Sequence, residues 1–156
     1  MNITSTQNPL IKKIALLSEK SRERKKQGLC VVEGAREIRL ALQGGYSLEN
    51  LLYQPDIFSE RQLSELLGYT TQKLTPIAIG KEVYEKISYR SSTEGVIALV
   101  AVKKHGLDTL VFSTKKPLLL VAEAPEKPGN IGALLRTADA AHIDAVIIAN
   151  PKTDLY

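Results

Sequence analysis

The stretch from Leu118 to Ile148 constrains the fold of this chain more than any other part of the sequence. It reads LLLVAEAPEKPGNIGALLRTADAAHIDAVII. Two continuous apolar runs of strand length, Leu118 to Ala122 and Ala145 to Ala149, flank a segment with helical periodicity. Strands that are uniformly apolar are typical of parallel sheets covered on both faces. The stretch therefore predicts a βαβ unit with two parallel strands buried on both faces.

The helix of this unit is predicted to begin at Asn130. Pro128 and Gly129 interrupt the strand pattern before it, and asparagine is a favoured N-cap residue. A helical wheel places four apolar residues on one stripe that should face the sheet: Ile131, Leu134, Leu135 and Ala138.

Polar groups gather at the start of the same helix. Arg136 projects from the side opposite the apolar stripe, and Gly132, one turn earlier, leaves the space in front of it empty. With the backbone N–H groups of a helix N-terminus and the Asn130 amide, this arrangement suits an anion or a polarised hydroxyl. A simpler interpretation is also open, in which Arg136 is a solvated residue paired with Asp139 and Asn130 is only a cap.

The residues PGNIGALLRTADA, which follow an apolar strand ending in an acidic residue, resemble the first signature motif of the SpoU/TrmH family of RNA methyltransferases. That motif has the form N-x-G-x-x-x-R-T-A, and the matching residues are Asn130, Gly132, Arg136, Thr137 and Ala138. One position departs from the family, which commonly has glycine at the end of this helix where the chain has His142. We expect His142 to pack or to cap the helix rather than to act in catalysis.

The resemblance implies a function and two catalytic residues. Family members methylate the ribose 2′-hydroxyl of ribosomal or transfer RNA with S-adenosylmethionine. By the resemblance, Arg136 acts on the target hydroxyl, and Asn130 positions Arg136 or the hydroxyl. A non-catalytic RNA-binding module is the alternative, with Gly129–Gly132 as a GXXG-like backbone clamp, although such a loop normally joins two helices. A nucleotide-binding βαβ unit is disfavoured because the G-x-G-x-x-G and G-K-[ST] fingerprints are missing.

The βαβ unit cannot form a complete domain alone, because two strands buried on both faces need further strands and helices to cover them. The resemblance implies an incomplete SPOUT-type parallel-sheet domain with a deep trefoil knot. The remainder of that domain carries two further motifs and the cofactor pocket. We therefore expect a longer parent protein, with the S-adenosylmethionine pocket mainly beyond Tyr156 and no cofactor-binding residue in this chain. The family's catalytic domain is usually dimeric, which implies a homodimeric parent.

The first 103 residues predict a separate α/β sandwich. Strands alternate with helices of about ten residues, which favours a mainly parallel sheet. Strands are predicted at 29–34, 48–53, 70–74 and 95–102, and helices after Asn8-Pro9, at 35–42, from Ser59 to Gly68 and from Ile79 or Gly80 to Ile87. Ser59 with Gln62 forms a capping-box pattern. Glu33, at the end of a buried strand, is interpreted as a hydrogen-bond acceptor and not as a catalytic residue.

Three segments of this part, QNPLIK, VVEGAR and STEGVIALV, resemble the substrate-binding domain that precedes the catalytic domain in many SpoU-type enzymes. That domain is similar to a ribosomal-protein family that binds RNA turns. The resemblance implies an RNA substrate-binding domain at 1–103, a linker at 104–116 and the start of the methyltransferase domain at 117–156.

The positive charge is concentrated at one end of the chain. Residues 1–26 contain seven basic and two acidic residues, whereas the rest contains fourteen basic and fifteen acidic residues. Such a patch suits a nucleic-acid backbone, because each neutralised phosphate releases counterions. The predicted RNA-binding residues are Lys12, Lys13, Arg22, Arg24, Lys25 and Lys26. A solvated helix with a lysine-rich end is the other interpretation.

Several classes of protein are disfavoured by what the sequence lacks. No apolar run approaches 18 residues and the N-terminus has no signal-peptide core, so we expect a cytoplasmic protein without a membrane partner. Cys30 is the single cysteine and is predicted to be a buried thiol, which leaves no disulfide framework. The two histidines lie far apart, and no metal site is predicted.

Overall fold

The structure is a computed structural model that describes residues 2–89 and 94–155. The chain divides into two compact units, Met1–Lys103 and Lys104–Tyr156. Ser92 and Thr93, which begin the STEGVIALV segment, lie outside the described residues. Within the described ranges, no helix has both the length and the apolar character needed to cross a bilayer.

The described part of the first unit contains ten elements. Its strands are β1 (Asn2–Ile3), β2 (Leu29–Glu33), β3 (Leu48–Tyr53), β4 (Ile77–Ile79) and β5 (Val96–Ala101). Its helices are α1 (Pro9–Glu19), α2 (Ser21–Gln27), α3 (Ala35–Gln43), α4 (Glu60–Leu67) and α5 (Lys81–Ile87). The second unit consists of a 3-10 turn (Leu107–Thr109), β6 (Leu119–Glu123), α6 (Pro128–Ala140) and β7 (Ala145–Ala149).

The five strands of the first unit form one sheet in the order β1-β4-β3-β5-β2. β1 pairs with β4 and β4 with β3 in parallel, whereas β5 lies between β3 and β2 and runs antiparallel to both. The sheet is therefore mixed, and the prediction of a mainly parallel sheet is wrong. An apolar run predicts that a strand is buried, but strand direction depends on where the chain inserts that strand into the sheet.

Helices cover both faces of this sheet, which confirms the predicted α/β sandwich. Successive residues of β5 point to opposite faces, as the pleat of a strand requires. Ile97 and Leu99 join a buried cluster that contains residues of α1 and α5. Ala98 and Val100 join a second cluster that contains residues of α3 and α4. The apolar row Leu10, Ile14 and Leu17 predicted for α1 is observed with Ile11 as a further buried member.

Two helix starts in the first unit match their sequence signals. Asn8 accepts a hydrogen bond from the backbone N–H of Leu10 (2.9 Å), which caps α1. Ser59 and Gln62 form a reciprocal capping box at the start of α4. Both caps depend on residues within three positions of each other, which explains why the sequence alone predicts them.

The segment 70–74 is not a strand, which corrects the prediction. Its hydrogen bonds to the sheet come from the Gln72 side-chain amide, which bonds both backbone groups of Leu48. Leu48 N–H donates to Gln72 Oε1 (3.1 Å), and Gln72 Nε2 donates to the Leu48 carbonyl (2.6 Å). These two bonds satisfy the backbone N–H and carbonyl of Leu48, which lies beyond the part of β3 that pairs with β4. No backbone pairing is therefore needed there.

The second unit contains the predicted pair of parallel strands. β6 and β7 pair from Leu119 with Ala145 to Glu123 with Ala149. The prediction that both strands are buried on both faces is wrong for this chain. Val121 is 62% exposed, and β7 is only partly buried along its length. α6 is the one helix described in this unit, and a single helix covers one face of a sheet.

Helix α6 begins three residues earlier than an N-cap at Asn130 predicts. Its N-cap is Lys127 and Pro128 occupies the first helical turn, where the missing N–H of proline costs no hydrogen bond. Asn130 therefore lies inside the helix, and its prediction as the N-cap is wrong. The core-facing stripe is also narrower than predicted, because Leu135 is 49% exposed whereas Ile131 and Ala138 are buried.

His142 closes α6 in place of the family's glycine. Its φ of 51° lies in the left-handed region. The His142 N–H donates to the Asp139 carbonyl (3.0 Å), and the Ile143 N–H donates to the Ala138 carbonyl (2.9 Å). This is the bond pattern of a Schellman motif, so His142 caps the helix as expected and the departure from glycine leaves the cap intact.

Replacing Gly28 or Gly95 by alanine separates backbone strain from steric overlap. Both glycines are left-handed, with φ of 64° and 67°. A Cβ at Gly28 would meet no atom within 4 Å, whereas a Cβ at Gly95 would lie 2.8 Å from the Cβ of Ile57. We expect Gly28→Ala to lower the free energy of unfolding by about 1 kcal/mol and Gly95→Ala to lower it by roughly 2 to 5 kcal/mol. Urea unfolding followed by circular dichroism measures both. Equal losses would contradict the steric explanation.

Candidate functional site

Arg136 and Gly132 lie together on α6. A Cβ added to Gly132 would lie 3.4 Å from Nη1 of Arg136, so the guanidinium extends back over the glycine. Long helical side chains point toward the N-terminus of their helix, which accounts for this direction. The helix thus presents a guanidinium above bare backbone, the arrangement that the four-residue spacing predicts.

The alternative pairing of Arg136 with Asp139 is not observed. Among residues 2–89 and 94–155, no ion pair joins these two side chains. Arg136 is exposed, so its donors remain available to a ligand. Within residues 2–89 and 94–155 no ion-pair partner explains the arginine, and its catalytic role stays a prediction.

Asn130 occupies a different side of α6 from Arg136. Its backbone N–H donates to the Lys127 carbonyl (3.0 Å), and its side chain is exposed. The two residues are six positions apart, which separates them by about 120° around a helix. Asn130 lines an open cleft between α6 and β6, together with Leu134 and Thr137. Arg136 is not among the residues that line this cleft, so the structure does not bring the two predicted catalytic side chains onto one surface.

Two polar residues at the carboxyl ends of the parallel strands were missed by the sequence analysis. Asn150 Nδ2 donates to Glu123 Oε1 at 3.5 Å, and Lys152 Nζ donates to Asn150 Oδ1 at 3.4 Å. Ligands of open α/β sheets bind outside the carboxyl ends of the strands. The position of Glu123 and Asn150 directly at the ends of two apolar runs is the sequence signal that could have identified them.

The described residues do not form a complete cofactor pocket. The cleft beside β6 is open and is lined by apolar side chains, with Asn130, Thr137 and Glu123 as its polar members. An adenosyl group needs a site that buries most of its surface. Residues 104–155 therefore do not fit the group by themselves. Within the described part of the chain, no cluster of His, Cys, Asp or Glu side chains could hold a metal ion.

The GXXG-like clamp is not formed. Gly129–Gly132 lies within the first turns of α6 and not in a loop. Its N–H groups belong to a helix start, which differs from a backbone clamp between two helices. The structure therefore removes this particular version of the RNA-binding alternative.

The six predicted RNA-binding residues lie on α1 and α2, and they differ in their surroundings. Lys12, Arg22, Lys25 and Lys26 are exposed. Lys13 Nζ lies 3.8 Å from a carboxylate oxygen of Glu49, and such surface pairs contribute little stability. We call Lys12, Arg22, Lys25 and Lys26 the N-terminal basic patch. Their contact with RNA stays a prediction.

Arg24 has a structural role that the sequence analysis did not predict. Its Nη1 donates to the carbonyls of Leu17 (2.7 Å) and Ser18 (3.1 Å) near the end of α1. These are carbonyls that the helix itself leaves without partners. The Arg24 charge also opposes the effect of burial on Cys30, although burial dominates and raises the pKa of that thiol. The predicted burial of Cys30 is confirmed.

Glu33 is a hydrogen-bond acceptor, as expected. Its Oε2 accepts from the backbone N–H of Tyr89 (2.7 Å), and its Oε1 accepts from the Tyr84 hydroxyl (3.4 Å). The Tyr84 hydroxyl in turn accepts from the N–H of Gly95 (2.9 Å). Burial raises the pKa of Tyr84, so this phenol stays neutral at ordinary pH. The network links the end of β2 to Tyr89, which follows α5, and to Gly95, which precedes β5.

Known proteins share both units of this chain. Residues 8–98 match the family described as MRM3-like substrate binding domain. The chain is 29% identical over 143 residues to the 23S rRNA (uridine(2479)-2'-O)-methyltransferase of Streptomyces viridochromogenes. The alignment covers 91% of this chain and 48% of that relative.

Solved structures agree with this assignment. A crystal structure of an RNA 2'-O ribose methyltransferase matches with a TM-score of 0.79 and 37% identity, covering 100% of this chain and 58% of that one. The SpoU methyltransferase AviRb from Streptomyces viridochromogenes, in complex with AdoMet, matches with a TM-score of 0.82 and 26% identity, covering 96% and 56%.

The chain spans about half the length of the curated relatives that it matches. The match to the substrate-binding family covers most of the first unit, and the two solved methyltransferase structures extend the similarity through the second. The chain therefore belongs to the SpoU/TrmH family of RNA methyltransferases, with an MRM3-like substrate binding domain at residues 8–98.

Proposed function

We propose that this chain provides the RNA-binding domain and the first part of the catalytic domain of an S-adenosylmethionine-dependent RNA 2′-O-ribose methyltransferase. Its substrate is ribosomal or transfer RNA, and the whole protein acts in the cytoplasm as a homodimer. The observation that carries the proposal is the Arg136 guanidinium extended over Gly132 without an acidic partner among the described residues. Relatives named as rRNA and tRNA methyltransferases support the choice of substrate.

Arg136 is assigned to the ribose hydroxyl. S-adenosylmethionine, when bound, would supply a methyl group from its sulfonium and leave as the neutral thioether, and the ribose hydroxyl would lose its proton as its oxygen is methylated. A guanidinium has too high a pKa to accept that proton readily, but its N–H groups stabilise negative charge that develops on an oxygen. Arg136 therefore makes proton loss easier, and an RNA phosphate oxygen near the hydroxyl is the proposed acceptor.

Gly132 and Asn130 support this role in different ways. Gly132 leaves open the surface over which the guanidinium extends, so a ribose can approach from the same side. Asn130 lines the β6 cleft, and its assigned role is to position the RNA or the loop before α6. Since residues 104–155 do not complete a cofactor pocket, no step of the reaction is assigned to the residues of the cleft.

The N-terminal basic patch is assigned to sequence-independent RNA affinity. Its members lie on two consecutive helices and are exposed. Cations on one surface release counterions from each phosphate that they neutralise. The patch thus holds RNA on the first unit while the second unit provides Arg136.

Arg136→Ala in the full-length enzyme tests the catalytic role. The residue is exposed, so we expect the free energy of unfolding to change by no more than about 0.5 kcal/mol. Single-turnover methyl transfer should slow by roughly a hundredfold or more, the scale for losing a group that assists proton transfer. Arg136→Lys should restore little activity, because an ammonium lacks the guanidinium fork.

Asp139→Ala is the matched control, since Asp139 is exposed on the same helix and has no ion pair with Arg136 among the described residues. It should keep the rate of the unmodified enzyme. Near-normal methyl transfer by Arg136→Ala would remove the arginine from the mechanism.

Changing Lys12, Arg22 and Lys26 together to alanine tests the N-terminal basic patch. RNA affinity should fall, and the slope of log affinity against log salt should become shallower by about 0.7 to 0.9 for each phosphate that the variant no longer neutralises. Filter binding over a salt series measures both. Lys73→Ala with Lys81→Ala, which removes exposed charge elsewhere on the first unit, should change the slope little. An unchanged slope in the triple variant would favour the other interpretation, in which these residues form a solvated surface that does not contact RNA.

A further inference from the structure

A groove of about 280 Å³ lies between α3 and α4, on the sheet face opposite to that covered by α1 and α5. Its lining includes Arg36, Arg39, Phe58, Gln62, Leu66 and Tyr69. We call it the α3–α4 groove. Helix α1, which carries Lys12 of the N-terminal basic patch, packs on the other face of the sheet.

An aromatic ring and a cation meet in this groove. The Arg39 guanidinium carbon lies 5.8 Å from the centroid of the Tyr69 ring, within the range of cation–π contacts. Tyr69 follows the end of α4 and is 47% exposed, so much of its ring is open to solvent. Phe58, which is buried, gives the groove an apolar floor. A planar aromatic ligand can therefore stack on the tyrosine beside the arginine.

The groove also carries positive charge from two arginines. Arg36 lies one turn before Arg39 on α3, and in the described part of the chain neither is paired with an acidic side chain. The acidic residue of the lining, Glu65, accepts a hydrogen bond from Nε of Arg61 at 3.0 Å. These two arginines therefore favour a negatively charged ligand. The geometry of a guanidinium matches that of a phosphate.

We propose that the α3–α4 groove binds a single-stranded segment of the RNA substrate, with one base stacked on Tyr69 and the adjoining phosphates held by Arg36 and Arg39. The inference rests on the proposed function, because RNA is the substrate assumed there. The volume of the groove lies just below the usual range for small-molecule pockets. This volume suits one nucleotide and not a larger cofactor. Stacking on an aromatic ring needs an unpaired base, so the groove selects single-stranded RNA over duplex RNA.

Binding of a short fluorescein-labelled oligoadenylate to the whole chain, followed by fluorescence anisotropy over a salt series, tests this site. Tyr69→Ala should weaken binding roughly tenfold at every salt concentration, the scale of one base stacked on an aromatic side chain. Tyr69→Phe keeps the ring and should bind like the unmodified chain. Arg39→Ala should make the salt slope shallower by about 0.7, the value for one phosphate on a single strand. Lys73→Ala, which removes an exposed cation of the first unit that lies outside the groove lining, is the control for lost charge and should change little.

Unchanged binding by Tyr69→Ala would overturn the site while leaving the proposed function in place. Equal losses in Tyr69→Ala and Tyr69→Phe would also overturn it, because the hydroxyl and not the ring would then matter. Failure of the unmodified chain to bind the oligoadenylate would overturn it as well. Failure of methyl transfer by the full-length enzyme would contradict the proposed function alone, since oligoadenylate binding does not depend on that reaction.

Discussion

The phase of helix α6 is the constraint on which the candidate site depends. Gly132 and Arg136 are four residues apart, and only an unbroken helix through both positions places the guanidinium over the glycine. Pro128 sets the start of this helix and His142 closes it with a Schellman motif. A shift of one residue in the helix would rotate Arg136 by about 100° and remove it from that surface.

The first unit shows how a short polar network can organise an apolar scaffold. β5 is fully buried from Val96 to Val100 and lies between β3 and β2 in the mixed sheet. Just before it, Gly95 takes a left-handed conformation that brings its backbone against Ile57, and its N–H donates to Tyr84. Glu33 then links Tyr84 to the backbone of Tyr89. The chain therefore enters β5, the most apolar strand of the unit, through a hydrogen-bonded residue whose conformation and close packing only glycine can adopt.

Local signals in the sequence predicted local structure well. The Ser59–Gln62 capping box, the Asn8 cap, the bounds of β3 and the parallel pairing of two apolar runs all involve residues close in sequence or a strong periodicity. The direction of β5 could not be predicted, because a strand's own residues do not encode its neighbours. For the same reason Gln72 was mistaken for part of a strand, and the structural role of Arg24 was missed. Each makes its decisive bonds to residues that the sequence pattern does not connect with it. At the candidate site, the four-residue spacing predicted that Arg136 lies beside Gly132, whereas Asn130 lies inside α6 and not at its N-cap.

Gly132→Ala tests the central claim most directly, because it changes the space beside Arg136 without touching the arginine. Alanine favours a helix over glycine by about 1 kcal/mol, so the variant should be as stable as the unmodified enzyme or more stable. Its methyl group would lie 3.4 Å from Nη1 of Arg136 and fill the surface that a ribose is proposed to use. Single-turnover methyl transfer by the full-length enzyme should therefore slow by roughly ten- to a hundredfold, the scale for a small displacement of a reacting group. A stable Gly132→Ala enzyme with an unchanged rate would contradict the account.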